Sequence, residues 1–158
     1  MGEFNNKIVA EFTPPKTWVL EEELSFETDQ LNDQDIQLLK VIGANVEDTG
    51  KGIGKVTCTK GMKTDLASVP RAIWAFISPW DVARAAVIHD HLYAKLRQYW
   101  NTGAPFDKGI WKAGRNLSDK IFLLGMKSAD PKVSSLKIYP AYWAVRLFGR
   151  WPASGKSD

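Results

Sequence analysis

The stretch KTDLASVPRAIWAFISPWDVARAAVIHDHLY, residues 63–93, decides how this chain is read, because it gathers both histidines, His89 and His91, with Asp65, Ser68, Asp81, Asp90 and Tyr93, and the rest of the sequence looks like scaffold. Pro79 ends what precedes it, and Asp81 is a good N-cap. From there Val82, Ala85, Ala86, His89, Leu92, Tyr93, Leu96 and Tyr99 recur at the i, i+3, i+4, i+7 spacing of one helical face. His89 therefore falls on the buried side. At about 100° per residue, Asp90 lies on the flank of that face, and His91 points to the opposite, solvent side with Arg84, Lys95 and Gln98.

Working outward toward the N-terminus, Lys55 to Thr59 alternates with β-branched residues and reads as the strand that delivers the chain to Gly61 and the TDLASVP loop. GKGIGKV, with Gly50, Gly52 and Gly54, fits neither a Gly-x-x-x-x-Gly-Lys-Ser/Thr loop nor a Gly-x-Gly-x-x-Gly helix opening, so a hairpin turn is the reading. The apolar run at Ile36, Leu38, Leu39, Val41 and Ile42 reads as a strand. WVLEEELSFET predicts one or two short half-buried strands, with Glu21 to Glu23 on a solvated face. Residues 1–16 end in Pro14, Pro15 and Lys16 and are expected to form an edge strand or an arm that is flexible without a partner.

Toward the C-terminus, NTGAPFD is a turn and Asp107 caps a second helix to about Met126, with Ile110, Leu117, Ile121 and Leu124 on one face. SADP, Ser128 to Pro131, opens a third aromatic, amphipathic segment through Tyr139, Trp143, Leu147 and Phe148, broken by Pro140. The tail from Trp151 to Asp158 is expected to be loose unless a partner holds it. The expected fold is a single α+β domain over residues 1–158, in which a small antiparallel sheet from the N-terminal half packs against two to three C-terminal helices.

Composition narrows the function classes. A length of 158 residues suits one domain with a real core, and 44% hydrophobic with 25% charged residues is ordinary for a soluble globular chain. Seven tryptophans are more than usual and point to core and interface packing. The net charge is +3, and the 21 basic residues are scattered among acidic ones, so no clustered basic stripe marks a nucleic-acid binder. Cys58 has no intramolecular partner and reads as a small buried residue compatible with a reducing compartment. No signal peptide is visible, and the longest apolar run, Ala72 to Ile77, is too short to span a bilayer.

A candidate site follows from the titratable residues. Asp90 and Asp65 could ligate a cation while His89 takes a proton from water, and Asp119 from the next helix could accept the other imidazole N–H and fix the tautomer. Oxygen ligands of this kind favour calcium or magnesium, because zinc would want more nitrogen or sulfur than this chain supplies. The same residues also fit a purely architectural network: a histidine centred on an apolar face is a hydrogen-bonded core residue, Arg115 pairs with Asp119 along the helix surface, Asp65 and Ser68 cap a short helix after Pro70, and Asp90 does likewise for the TDLASVP loop. Ser68 lacks a nucleophile elbow and Cys58 an activating neighbour.

TDLASVP (Thr64 to Pro70), HDHLY (His89 to Tyr93) and a later Asp-x-x-Phe (Asp119 to Phe122) together resemble a family of small tailed-bacteriophage and prophage proteins known as a domain of unknown function, over roughly Trp18 to Gly149. That resemblance implies a phage gene product and no reaction. The His-Asp-x-x-Tyr helix is also similar to the catalytic helix of phospholipase A2-like enzymes. This second resemblance implies His89 as base, Asp90 as calcium ligand, and Tyr93 with Asp119 as supporting network, but RAIWAFISP lacks the glycine-rich calcium loop of those enzymes. The expectation is a phage-encoded accessory or structural protein of the virion tail or its assembly, in the virion or the host cytoplasm. Its partners would be other virion proteins, met through Trp100, Trp143 and Trp151, and nucleic acid would not be among them. The alternative is a cation-dependent hydrolase acting on host envelope lipid or peptidoglycan through His89.

Overall fold

The two halves of WVLEEELSFET form strands of two different sheets. In the computed structural model, which describes residues 2–5, 7–14, 17–50, 52–64, 79–103, 105–129 and 132–154, strand β4 (Leu24–Thr28) lies between β1 (Gly2–Phe4) and β6 (Gly54–Cys58), and β5 (Val46–Asp48) completes an antiparallel sheet of order β1-β4-β6-β5. A second antiparallel sheet has the order β2 (Ala10–Thr13), β3 (Thr17–Leu20), β7 (Lys63–Thr64). Glu21 to Glu23 are exposed between β3 and β4. The expected hairpin joins β5 to β6, where Thr49 N–H donates to Ile53 O at 3.0 Å and Gly50 and Gly52 take φ of 83° and 73°, values that few residues but glycine adopt.

The apolar run at Ile36 to Ile42 is a helix, not a strand: α1 spans Asp33–Val41. The deciding signal is local. Asn32 accepts from Asp35 N–H at 2.8 Å while the Asp35 carboxylate accepts from Asn32 N–H at 3.2 Å, a reciprocal cap that closes the first turn. Gly43 at φ 85° ends the helix, and Ile36 and Leu39, three apart, are the buried pair while Val41 is exposed.

Three further helices cover the sheets. Helix α2 begins at Pro79, where a first-turn proline is tolerated, and runs to Thr102; the Asp81 side chain lies outside the described residues. Helix α3 (Lys108–Lys127) starts as expected at Asp107, whose carboxylate accepts from Gly109 and Ile110 N–H at 2.7 and 3.1 Å. Helix α4 (Ser135–Phe148) is capped by Ser134, later than SADP suggests, and continues through Pro140 instead of breaking. Pro140 sits on the exposed side, so the carbonyl it leaves unbonded faces water. A short α5 (Arg150–Ala153) follows.

The fold is α+β, with antiparallel sheets from the N-terminal half packed against α2, α3 and α4. Helix α2 is its centre. Phe26, Val56, Leu39, Leu92, Leu96 and Ile121 share one core cluster, while Val82, Ala86, Phe122, Met126, Ile138 and Val145 make a second between α2, α3 and α4. Close approach of α2 and α3 depends on small residues: a Cβ added at Gly125 would lie 2.9 Å from Ala85 Cβ, and one at Gly114 would lie 3.0 Å from Leu96 Cδ2. That proximity brings the polar side chains of the two helices within bonding distance.

Candidate functional site

His89 and Tyr93 are four residues apart on α2 and so present to the same neighbour, α3. There they meet Asp119. His89 Nε2 lies 2.8 Å from Asp119 Oδ1, and the Tyr93 hydroxyl donates to the same oxygen at 2.6 Å. The other oxygen, Oδ2, accepts from Arg146 Nη1 on α4 at 2.7 Å. The imidazole stacks between Tyr93 and Phe122, with ring centroids 4.0 and 4.8 Å away, and both His89 and Asp119 have no exposed surface. One carboxylate therefore ties three helices together from inside the core.

Electrostatics follow from that geometry. Burial pushes the Asp119 carboxyl up, but the hydrogen bond and charge of His89, with the bonds from Tyr93 and Arg146, outweigh it and hold the group below its ordinary 3.8. Burial raises the Tyr93 hydroxyl well above its ordinary 10.0, the Asp119 charge adds to the rise, and Arg115 opposes it. The result is a persistent carboxylate beside a Tyr93 hydroxyl that keeps its proton.

Arg115 does not pair with Asp119 along the helix surface. Its Nη2 donates to the carbonyls of Val145, at 3.2 Å, and Arg146, closing the last turn of α4, while Asp119 turns inward to Arg146. Arg146 is the member that sequence reasoning missed, because expecting a break at Pro140 leaves the end of α4 without a face.

Asp90 belongs to a different contact. Its Oδ2 accepts from the Thr64 hydroxyl, so the first residue of TDLASVP is tied to the helix as the architectural alternative expects. Asp65 and Ser68 lie outside the described residues. Among the described residues, no three His, Cys, Asp or Glu side chains gather where they could hold a metal ion. Cys58 is fully buried, its Sγ 3.9 Å from Val87 O, and burial with the nearby Asp90 charge pushes its thiol pKa upward. That makes it a poor nucleophile.

His91 corrects the helical-wheel expectation: it is buried, not solvent-facing. Val82, Ala83 and every residue from Ala85 to Tyr93 are buried, because α2 has neighbours on all sides and no solvent face over this span. His91 Nε2 accepts from Asn45 N–H at 3.4 Å, which requires a neutral ring, and burial with the Lys95 charge lowers its pKa to about 4.

Residues 43–145 match the family described as "Protein of unknown function (DUF1353)". The chain belongs to this family. The match to DUF1353 is narrower than the resemblance from Trp18 to Gly149, and it includes β5 to α3, with His89, Asp90, Tyr93 and Asp119, but stops one residue before Arg146. No curated protein and no solved structure matches the chain. Among the described residues, no helix of this DUF1353 chain is long and apolar enough to cross a membrane.

Proposed function

We propose that the chain is a phage-encoded accessory or structural protein of the virion tail, acting by contact with another virion protein while its buried His89–Asp119 network organises the fold. The observation that supports this reading is the outer face of α4. Leu136, Tyr139, Trp143 and Leu147 recur along one helical stripe with exposures of 88%, 42%, 58% and 72%, and Phe148 beside them is 62% exposed. Contiguous apolar surface of this kind marks an interaction site, and Trp and Tyr are the residues in which binding energy concentrates. The segment from Lys132 to Ser154 has no acidic residue and carries the exposed Lys132 and Lys137, so the fitting partner surface is apolar with carboxylates beside it. Of the aromatics expected to make contacts, Trp143 is free to do so, Trp100 packs against Phe106 and Trp111, and the Trp151 side chain lies outside the described residues.

Trp143→Asp combined with Leu147→Asp puts two charges into the C-terminal half of the stripe at exposed positions outside the core. In particles assembled with this variant, the amount of the chain that co-purifies is expected to fall at least tenfold while its circular dichroism stays unchanged. Normal incorporation of the folded variant, or particles that contain no wild-type chain, would overturn the reading.

The hydrolase reading has one observation in its favour: the 2.8 Å bond between His89 and Asp119 is the contact by which a carboxylate orients a general base. Against it stands the complete burial of His89. That reading requires micromolar calcium or magnesium binding that disappears in Asp90→Asn, measurable by calorimetry.

A further inference from the structure

Helices α3 and α4, joined at the Arg146–Asp119 contact, leave a cleft of about 390 Å³ lined by Lys108, Lys112, Arg115, Arg146 and Arg150 together with Trp111 and Asn116. Among the described residues that line it, five are cations and none is an acid. The basic residues that look scattered in sequence are gathered here by two helices: Lys108, Lys112 and Arg115 stand at i, i+4, i+7 on α3, and Arg146 and Arg150 at i, i+4 where α4 passes into α5.

This concentration of charge runs against helix stability. Like charges four residues apart repel, and Lys108 and Lys112 in the first turns of α3 lie near the positive end of its dipole, where the capping Asp107 is the one acid among the described residues. A cluster that opposes its own local structure is the signature of a site with a function to serve. The inner cations are held in place. Arg115 is fixed by the carbonyls of Val145 and Arg146, its Nε has no acceptor among the described residues, and Arg146 spends one N–H on Asp119. Fixed guanidinium forks match the oxygen geometry of phosphoryl groups.

We propose that this cleft binds a small anion carrying two or more phosphoryl groups, gripped by Arg115 and Arg146 inside and by Lys108, Lys112 and Arg150 at the mouth. Among the described residues, Asp119 offsets one of the five cations, through Arg146, so a single phosphate leaves charge unmatched. The volume lies in the range of about 300–1,000 Å³ typical of small-molecule sites, whereas a nucleic-acid strand needs a groove tracking several nucleotides.

Titration of pyrophosphate into the full chain, followed by calorimetry in dilute salt, tests this. One-to-one binding is expected, weakened at least tenfold by Lys112→Ala with Arg150→Ala, two exposed positions outside the Asp119 network. A charge-matched control, Lys40→Ala with Lys137→Ala, is expected to bind as the wild type does. Absence of binding at millimolar pyrophosphate overturns the proposal. So does an equal loss in the control, which would mean net charge alone, or binding confined to phosphatidylglycerol vesicles, which would make the ligand a membrane surface.

Discussion

Replacing Asp119 by alanine is expected to remove about 3–5 kcal/mol of stability, the cost of breaking a buried ion pair and leaving its donors unpaired. His89 Nε2, the Tyr93 hydroxyl and Arg146 Nη1 all converge on this carboxylate, and His89 and Tyr93 have no exposed surface through which water could replace it. Single domains are stable by only about 5–15 kcal/mol, so such a loss moves the urea midpoint far and lowers Tm by roughly 6–20 °C for a chain of this size. Asp119→Asn keeps the shape and one acceptor but turns an amide N–H toward a donor, and recovers only part of the loss. A midpoint within a few tenths of a molar of wild type for the alanine variant would show that the network carries no structural weight.

The second large effect is a pH dependence set by His91. Its ring is buried and neutral, with a pKa near 4 against an ordinary 6.5. Between these values the unfolded chain binds a proton that the folded chain does not, so stability rises with pH through this window. The contribution is complete above about pH 6.5, falls as pH drops, and is gone below about pH 4. A shift of this size corresponds to about 3 kcal/mol. Asp119 acts in a separate window, because its lowered pKa gives stability that is present above 3.8 and lost only as pH falls further. His91→Gln offers Asn45 N–H an acceptor that does not titrate, so unfolding free energy measured in urea from pH 7 to pH 4 should fall by about 3 kcal/mol less in the variant than in the wild type. Parallel curves for the two proteins would contradict the burial of a neutral ring.

Much of this architecture is legible in the residues. The 3.6-residue spacing of His89, Leu92, Tyr93 and Leu96 marks α2, Asp107 marks the start of α3, and the glycines after Asp48 mark the β5–β6 turn. Residues whose meaning is local are read correctly because the physics is local. His91 is not among them, since a helical wheel assumes one solvent face and α2 is enclosed from Ala85 to Tyr93. Helix α1 is misread where a short apolar run fits either period, and the Asn32–Asp35 cap is the evidence that decides it. Convergence of His89 and Tyr93 with Asp119 could be anticipated as pairing between neighbouring helices. Arg146 could not, nor could the five-cation cleft, because each depends on how α4 crosses α3. The expectation of scattered charge fails for the same reason.

The Asp119 carboxylate holds α4 to the α2–α3 pair and thereby fixes the face that α4 presents. A double-mutant cycle over Asp119→Ala and Arg146→Ala, read by urea unfolding at pH 7, tests that claim most directly. Coupled residues in one buried network show interaction energies of about 0.5–3 kcal/mol, and the two changes together should cost less than their sum by an amount in the upper part of that range. Losses that add to within about 0.3 kcal/mol would mean that the contact does not bind the helices together, and the network would need another purpose.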